Sequence, residues 1–325
     1  MNTPLHQIIL DKIQTEGPIT IDTYMELCLY HPKHGFYMNP NAIGAKGHFT
    51  TAPEITPLFG ETLAIWVTQK WEELGKPTAF TLAEGGPGKG TLMTDLLRTL
   101  KRISPDAYQA ATVILMETSP HLRGEQAITL QNHTVDWAEN LSEIPWQEPT
   151  IFIANELLDA FPIVQTLSDG TPRTITAIEN ELGFTDNDAT HAESSPAQIE
   201  FLTALKAHLT QGVALFIDYG YTHGTGNTLQ AIHKHQKVDI FHQAGESDLT
   251  AHVNFAVVAQ TLGLPNCTIE DQASFLLRHG FALRATQTLE TAPNDTTRQN
   301  IESACHRLIA PKEMGSLFKA LTYTP

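Results

Sequence analysis

Apolar residues follow two alternating patterns over the middle of the chain. Short, continuously apolar runs occur as TAFTLA at 78–83, ATVILM at 111–116, PTIFIA at 149–154 and GVALFI at 212–217. Their length and β-branched content suit strands buried on both faces. Between them lie segments with apolar residues three and four apart, at 91–102, 119–131 and 196–210. Those spacings predict amphipathic helices. A short strand is expected near 133–135, and two more around a turn at Ser168–Gly170 within 163–185. Strands alternating with helices predict an α/β protein with a parallel sheet and helices on both faces.

The flanks read differently. A helix over 3–15 is ended by Gly17-Pro18. Thr20 or Asp22 caps a second helix through Tyr24, Met25, Leu27 and Leu29, which stops before His31-Pro32. Residues 31–57 carry four prolines, three glycines and three aromatics, the composition of a long ordered loop. A helix follows over 58–73. Residues 221–260 are polar and His-rich until a helix near 253–262. Beyond it the pattern predicts helices at 269–279 and 294–310 and strands at 281–288 and 318–324. The expected division is a helical cap and loop at 1–75, a core at 76–225 with a β insertion near 163–185, and a substrate-side part at 226–325.

Composition narrows the function. The 325 residues hold 20 Lys+Arg against 36 Asp+Glu, a net charge of −16. Nucleic-acid phosphates demand a clustered basic face, so no nucleic-acid partner is expected. The hydrophobic fraction of 41% predicts a folded protein. Cys28, Cys267 and Cys305 are odd in number and far apart, which suits a reducing compartment rather than a disulfide framework. With no apolar signal core, no Arg-rich presequence and no membrane span, a cytoplasmic location is expected. The pairs His31/His34 and His233/His235, with His242, lack a fixed third ligand, so no metal is expected.

Four predicted strands end in polar residues: Glu84 with its glycine loop, Glu117, Asn155-Glu156 and Asp218. Doubly wound sheets bind ligands outside the carboxyl ends of their strands, so these tips line one cleft. The loop reads Gly85-Gly86-Pro87-Gly88-Lys89-Gly90. A dinucleotide fingerprint from Gly86 and Gly88 would need glycine at 91, which is Thr91, and no Gly-Lys-Ser/Thr closes a P-loop. Glu84 would repel a pyrophosphate and attract a cation. S-adenosylmethionine (SAM), with an ammonium, a sulfonium and no phosphate, suits this loop. Glu117 suits the ribose hydroxyls, because a carboxylate accepts both O–H groups. The plainer alternative is a tight strand-to-helix turn with solvated acids. Glu156, with Asp159, would hold an arginine acceptor through bidentate hydrogen bonds. Alternatively, Asn155 caps the next helix and Glu156 is a first-turn acid.

Longer motifs carry a family resemblance. They are GPITIDTYM at 17–25, HPKHGFY at 31–37, GAKGHFTTAPEITPLFGE at 44–61, EGGPGKGTLMTDLL at 84–97, ANELLDAFPI at 154–163 and DYGY at 218–221. They continue with DLTAHVNF at 248–255, QASFLLRHG at 272–280 and MGSLFKAL at 314–321. Over nearly its whole length the sequence resembles the MidA-like, SAM-dependent protein arginine methyltransferases, whose mitochondrial members assist respiratory complex I assembly. The resemblance implies a class I methyltransferase sheet, Rossmann-like, seven-stranded and mostly parallel, with an N-terminal helical cap and inserted elements. It implies SAM as cofactor, held by Glu84, Gly86, Gly88, Gly90 and Glu117, with Thr51 and Glu54 in a closing segment. Asn155, Glu156 and Asp159 match its acceptor-side motif. The implied partner is a protein substrate with a target arginine, such as a respiratory-complex subunit, and a homodimer is a further expectation. A SAM-binding assembly factor that is non-catalytic, or that acts on a small molecule, is the alternative. Three positions depart from the family pattern. Gly85 replaces an aliphatic residue, which would loosen the loop; Gln230 stands where relatives carry arginine, and Asn254 where they carry aspartate.

Overall fold

The computed structural model describes residues 3–38, 51–186, 190, 192–224 and 226–325. Residues 39–50, which include the first part of the GAKGHFTTAPEITPLFGE segment, lie outside these. Contacts divide the chain into two compact units, each assembled from three separated segments. One comprises Thr51–Leu157, Thr203–Tyr221 and Phe255–Pro325; the other comprises Met1–Thr50, Leu158–Leu202 and Thr222–Asn254. No helix among the described residues is long and apolar enough to cross a membrane.

The first unit holds the central sheet. The strands of its main path are β1 (Phe80–Gly85), β2 (Ala111–Met116), β3 (Asp136–Ala138), β4 (Thr150–Asn155), β5 (Gly212–Tyr221), β6 (Cys267–Asp271) and β7 (Phe318–Tyr323). They lie in the order β6-β7-β5-β4-β1-β2-β3. Neighbours from β5 through to β3 are parallel, while β7 runs antiparallel to both β5 and β6. This is the doubly wound order 3-2-1-4-5-6 with one antiparallel strand inserted. The order reverses between β1 and β4, where such sheets bind their ligands. Every residue of β1 and β4 is buried, as the apolar runs predict for central strands. Gly212 opens β5 with φ 134, and a Cβ there would fall 1.9 Å from the Thr150 carbonyl oxygen, so only glycine lets these strands pair.

Helices cover the sheet. The labelled ones are α1 (Ala52–Ile55), α2 (Leu58–Glu73), α3 (Thr91–Ile103), α4 (Pro120–Thr129), α5 (Gln272–Arg278), α6 (Phe281–Glu290) and α7 (Asp295–Ile309). Helix α3 buries Leu92, Met93, Leu96, Leu97 and Leu100 along one stripe, and Lys101 and Arg102 complement its C-terminal dipole. Those leucines join Trp66 and Val67 of α2 and Ile151 and Ile153 of β4 in one core. Burying each such side chain contributes about 1.5–3 kcal/mol. On α2, buried Glu61 accepts from Arg98 of α3 at 3.0 Å and from Arg284 of α6 at 2.5 Å.

The second unit has its own core, including Leu5, Ile9, Tyr24, Leu29, Ile175, Ala231 and Leu249. Its first helix, Pro4–Glu16, is capped by Thr3, whose hydroxyl accepts from the His6 N–H. Strands Gln230–His233, Gln236–Val238 and Asp248–Thr250 form a small antiparallel sheet inside the polar segment that showed little periodicity.

Several sequence expectations shift. Residues 281–288 form helix α6, not a strand. Phe281, Leu283 and Ala285 alternate as a strand would, yet only Phe281 and Ala285, four apart, are buried, while Leu283 is 68% exposed. The strand of this region is β6, which pairs Ile269 with Leu321; α5 therefore starts at Gln272 rather than 269. The strand expected at 133–135 lies at Asp136–Ala138. In the insertion, the hairpin of Thr174–Ile178 and Glu181–Phe184 turns at Glu179-Asn180, with φ 53 and 66, as a two-residue primed turn requires. The Ser168–Gly170 turn is followed by a single bridge, Thr166 to Pro172, while Val164–Thr166 pairs with Ala192–Ser194.

Candidate active site

The site is built at the carboxyl ends of β1, β2 and β4. β1 passes directly into the glycine loop, where Gly86, Gly88 and Gly90 take φ values of 63, 53 and 78. Side chains rarely adopt these angles, so the loop can turn sharply and bring backbone amides close to a ligand. The Gly86 N–H donates to the Met116 carbonyl at 3.1 Å, and the Gly90 N–H to Pro87 at 2.8 Å before α3 begins. A Cβ on Gly85 would fall 2.8 Å from Phe152 Cζ and 3.1 Å from Leu157 Cδ2. The space of an aliphatic side chain is thus filled from β4 and beyond, which corrects the expectation of a looser loop.

Glu84 is the penultimate residue of β1 and is 2% exposed. Its Oε2 is buried without a hydrogen-bond partner among the described residues. Burial pushes its carboxyl up to about 8. Glu117 follows β2 and is better supported. Its Oε1 accepts from the Ser119 N–H at 2.8 Å and its Oε2 from the Gln126 amide at 3.2 Å. Arg123 donates through Nε and Nη2 to the Glu117 carbonyl. Burial raises the Glu117 carboxyl, opposed by the Ser119 N–H, the Gln126 amide, the Thr118 N–H and the Arg123 charge.

At the tip of β4, Asn155 is buried, and its Oδ1 has no partner among the described residues. Its Nδ2 donates to Glu156 Oε1 at 3.1 Å. Glu156 takes a left-handed φ of 52, and its N–H donates to the Ile217 carbonyl of β5 at 2.9 Å. Its Oε1 also accepts from the Ala52 N–H at 3.2 Å. That contact brings α1 to the strand tip. Thr51 stands at the N-cap of α1 without a side-chain cap, and its carbonyl accepts from the Glu54 N–H at 3.0 Å. Glu54 Oε2 is buried without a partner among the described residues. Burial raises its carboxyl, with Lys89 of the glycine loop opposing and Glu125 adding to the rise.

The structure therefore gathers Glu84, Gly86, Gly88, Gly90, Glu117, Asn155, Glu156, Thr51 and Glu54 within one unit. Asp159 belongs to the other unit, in the 3-10 turn Leu158–Ala160, where it is buried and its carbonyl accepts from the Ala251 N–H at 3.1 Å. Sequence reading missed Gln126, Trp137 and the Ala52 amide. Gln126 had a visible signal, because it interrupts the apolar stripe Leu122–Gln126–Leu130 with a polar side chain.

Comparison with known proteins places this geometry. A profile of S-adenosyl-L-methionine-dependent methyltransferases matches residues 62–181 and 166–269. The chain belongs to this methyltransferase family. It is 30% identical to the mitochondrial protein arginine methyltransferase NDUFAF7 of Xenopus laevis, over 100% of this chain and 85% of that protein. It is 28% identical to the Homo sapiens protein of the same name, over 99% and 84%. A Burkholderia thailandensis protein crystallised with S-adenosyl-homocysteine superposes with a TM-score of 0.86 at 27% identity, covering 99% of this chain and 92% of that one. The family uses SAM, and the residues here fit it. The buried Glu84 carboxylate oxygen, without a hydrogen-bond partner among the described residues, suits a cationic group, and a Cβ on Gly86 would come 3.0 Å from Leu157 Cδ1. The relatives' names also correct the expected location: these proteins are mitochondrial, not cytoplasmic. Three free cysteines suit any reducing compartment, so they could not distinguish the two.

Proposed function

We propose that this methyltransferase acts on an arginine of a protein substrate. The observation that carries the reading is the Asn155-Glu156 tip, where a carboxylate is fixed by the Ala52 N–H and the Asn155 amide beside the glycine loop. The relatives named protein arginine methyltransferases support it. SAM supplies an electrophilic methyl group on a sulfonium. Glu84 and the glycine loop would hold its cationic end, and Glu117 would accept from its ribose hydroxyls. Thr51 and Glu54, tied to Glu156 through α1, exclude water from the reacting groups. Glu156 holds the acceptor guanidinium and draws its charge toward one nitrogen. The Glu156 carboxylate would take the proton that the acceptor nitrogen loses on methylation. Positioning supplies most of the acceleration, because an acceptor lone pair must lie in line with the methyl and sulfur.

The test is incubation with tritiated SAM and purified respiratory-complex subunits or whole lysate, followed by acid hydrolysis. Methylarginine in the hydrolysate is the expected result. Label only on another residue or a small molecule would overturn the acceptor. No label from protein that binds SAM would favour a non-catalytic assembly factor.

A further inference from the structure

Gln126 of α4 is fully buried, yet it is polar and outside every motif that marks the site. Its amide is used at both ends. Nε2 donates to the Gly88 carbonyl at 2.7 Å and to Glu117 Oε2 at 3.2 Å. Oε1 accepts from Trp137 Nε1 of β3 at 2.8 Å. An indole N–H only donates, while a carbonyl and a carboxylate accept, so these partners leave the amide one orientation. A flipped amide would set its oxygen against the Gly88 and Glu117 oxygens and its NH₂ against the indole N–H. Trp137 therefore fixes the side chain that spaces the glycine loop from the ribose carboxylate.

We propose that Gln126, oriented by Trp137, is a positioning residue for the cofactor: it sets the Gly88 peptide and the Glu117 carboxylate in the register that receives SAM. The inference rests on the assignment of Glu117 to the ribose. Gly90 adds to the same contact, since a Cβ there would sit 3.5 Å from Gln126 Cγ. Packing alone would be served equally by Met or Leu at this depth. An amide is needed because an apolar side chain would take a donor from the buried Glu117 Oε2 and from the half-buried Gly88 carbonyl and an acceptor from the half-buried indole N–H, and losing such partners away from water is costly.

The test compares wild type, Gln126→Met and Trp137→Phe by calorimetry with S-adenosylhomocysteine and by steady-state kinetics. Gln126→Met keeps the volume and should weaken binding about tenfold, with KM for SAM rising in parallel and kcat within about twofold. Trp137→Phe leaves Gln126 in place but frees its amide, and should weaken binding about threefold. In a Glu117→Gln background, Gln126→Met should cost less than in wild type, because the two share one contact. Folded Gln126→Met protein with wild-type affinity and KM would overturn the proposal. If that variant does not fold, unchanged affinity in Trp137→Phe overturns it instead. A wild-type protein that fails to bind S-adenosylhomocysteine would remove the cofactor assignment beneath it.

Discussion

The Ala52 N–H donates to Glu156 Oε1 across 3.2 Å, joining the start of α1 to the tip of β4. Glu156 holds this contact from a left-handed backbone, φ 52, a conformation that costs a non-glycine residue about 1–3 kcal/mol. The cost is borne where one carboxylate organises two segments, Thr51–Glu54 and Asn155–Glu156. Strain of this kind concentrates at functional sites.

Glu156→Gln separates the two uses of that side chain. Its amide oxygen can still accept from Ala52, while its charge is gone. We expect kcat to fall at least about a hundredfold, with S-adenosylhomocysteine affinity within about twofold of wild type, since electrostatic groups aimed at the reacting centre act on the transition state. Paired calorimetry and kinetics check this; an unchanged kcat would remove Glu156 from the acceptor site.

Gly88 adopts φ 53 inside the loop. Gly88→Val adds a branched side chain at an angle it rarely tolerates and on the path of an approaching cofactor. Binding of S-adenosylhomocysteine should fall by at least about a hundredfold while far-UV circular dichroism is retained. Normal affinity by calorimetry would refute the loop's role.

Glu84 predicts an unusual pH dependence. Burial raises its folded-state pKa to about 8 from an ordinary 4.5, so between these values the folded chain binds more protons than the unfolded one. The free protein therefore loses stability as pH rises through that window. Glu84→Gln should be more stable than wild type near pH 8, and the gap should close toward pH 4.5. Urea midpoints across this range measure it. If Glu84 faces the cofactor ammonium as proposed, the same variant should also bind S-adenosylhomocysteine more weakly, and more so above pH 8.

Glu61 shows the opposite sign. Burial raises its carboxyl, but Arg284 and Arg98 outweigh it and hold the pKa below the ordinary value. Its contribution is present above the ordinary 4.5 and lost as pH falls through the lower folded value. Arg284→Met removes one partner of a carboxylate that is only 4% exposed. The arginine is itself partly solvated, so the expected loss is about 1–2 kcal/mol in urea unfolding, with cofactor affinity unchanged. A change in affinity without a loss of stability would contradict this structural role.

Local chemistry was sufficient to read the central strands and the polar residues at their tips. Continuous apolar runs marked β1, β2, β4 and β5, because strands buried on both faces admit no polar alternation. The polar residues closing those runs marked the strand tips, and the loop spacing departed from the dinucleotide and P-loop patterns. Where two patterns coexist in one segment, sequence alone did not decide. Phe281, Leu283 and Ala285 satisfy strand alternation and helical spacing alike, and packing against α2 and α7 selected the helix. Residues 267–271 became an edge strand because β7 offered an unpaired neighbour. Most of all, the fold decided which polar atoms meet. The Ala52–Glu156 and Gln126–Gly88 hydrogen bonds join residues 104 and 38 positions apart, and the first uses a backbone amide that carries no side-chain signature. The sequence by itself determined which chemistry was present and near which strand ends. Only the tertiary structure decided which groups hold one another in place, because that depends on distances across the sheet rather than along the chain.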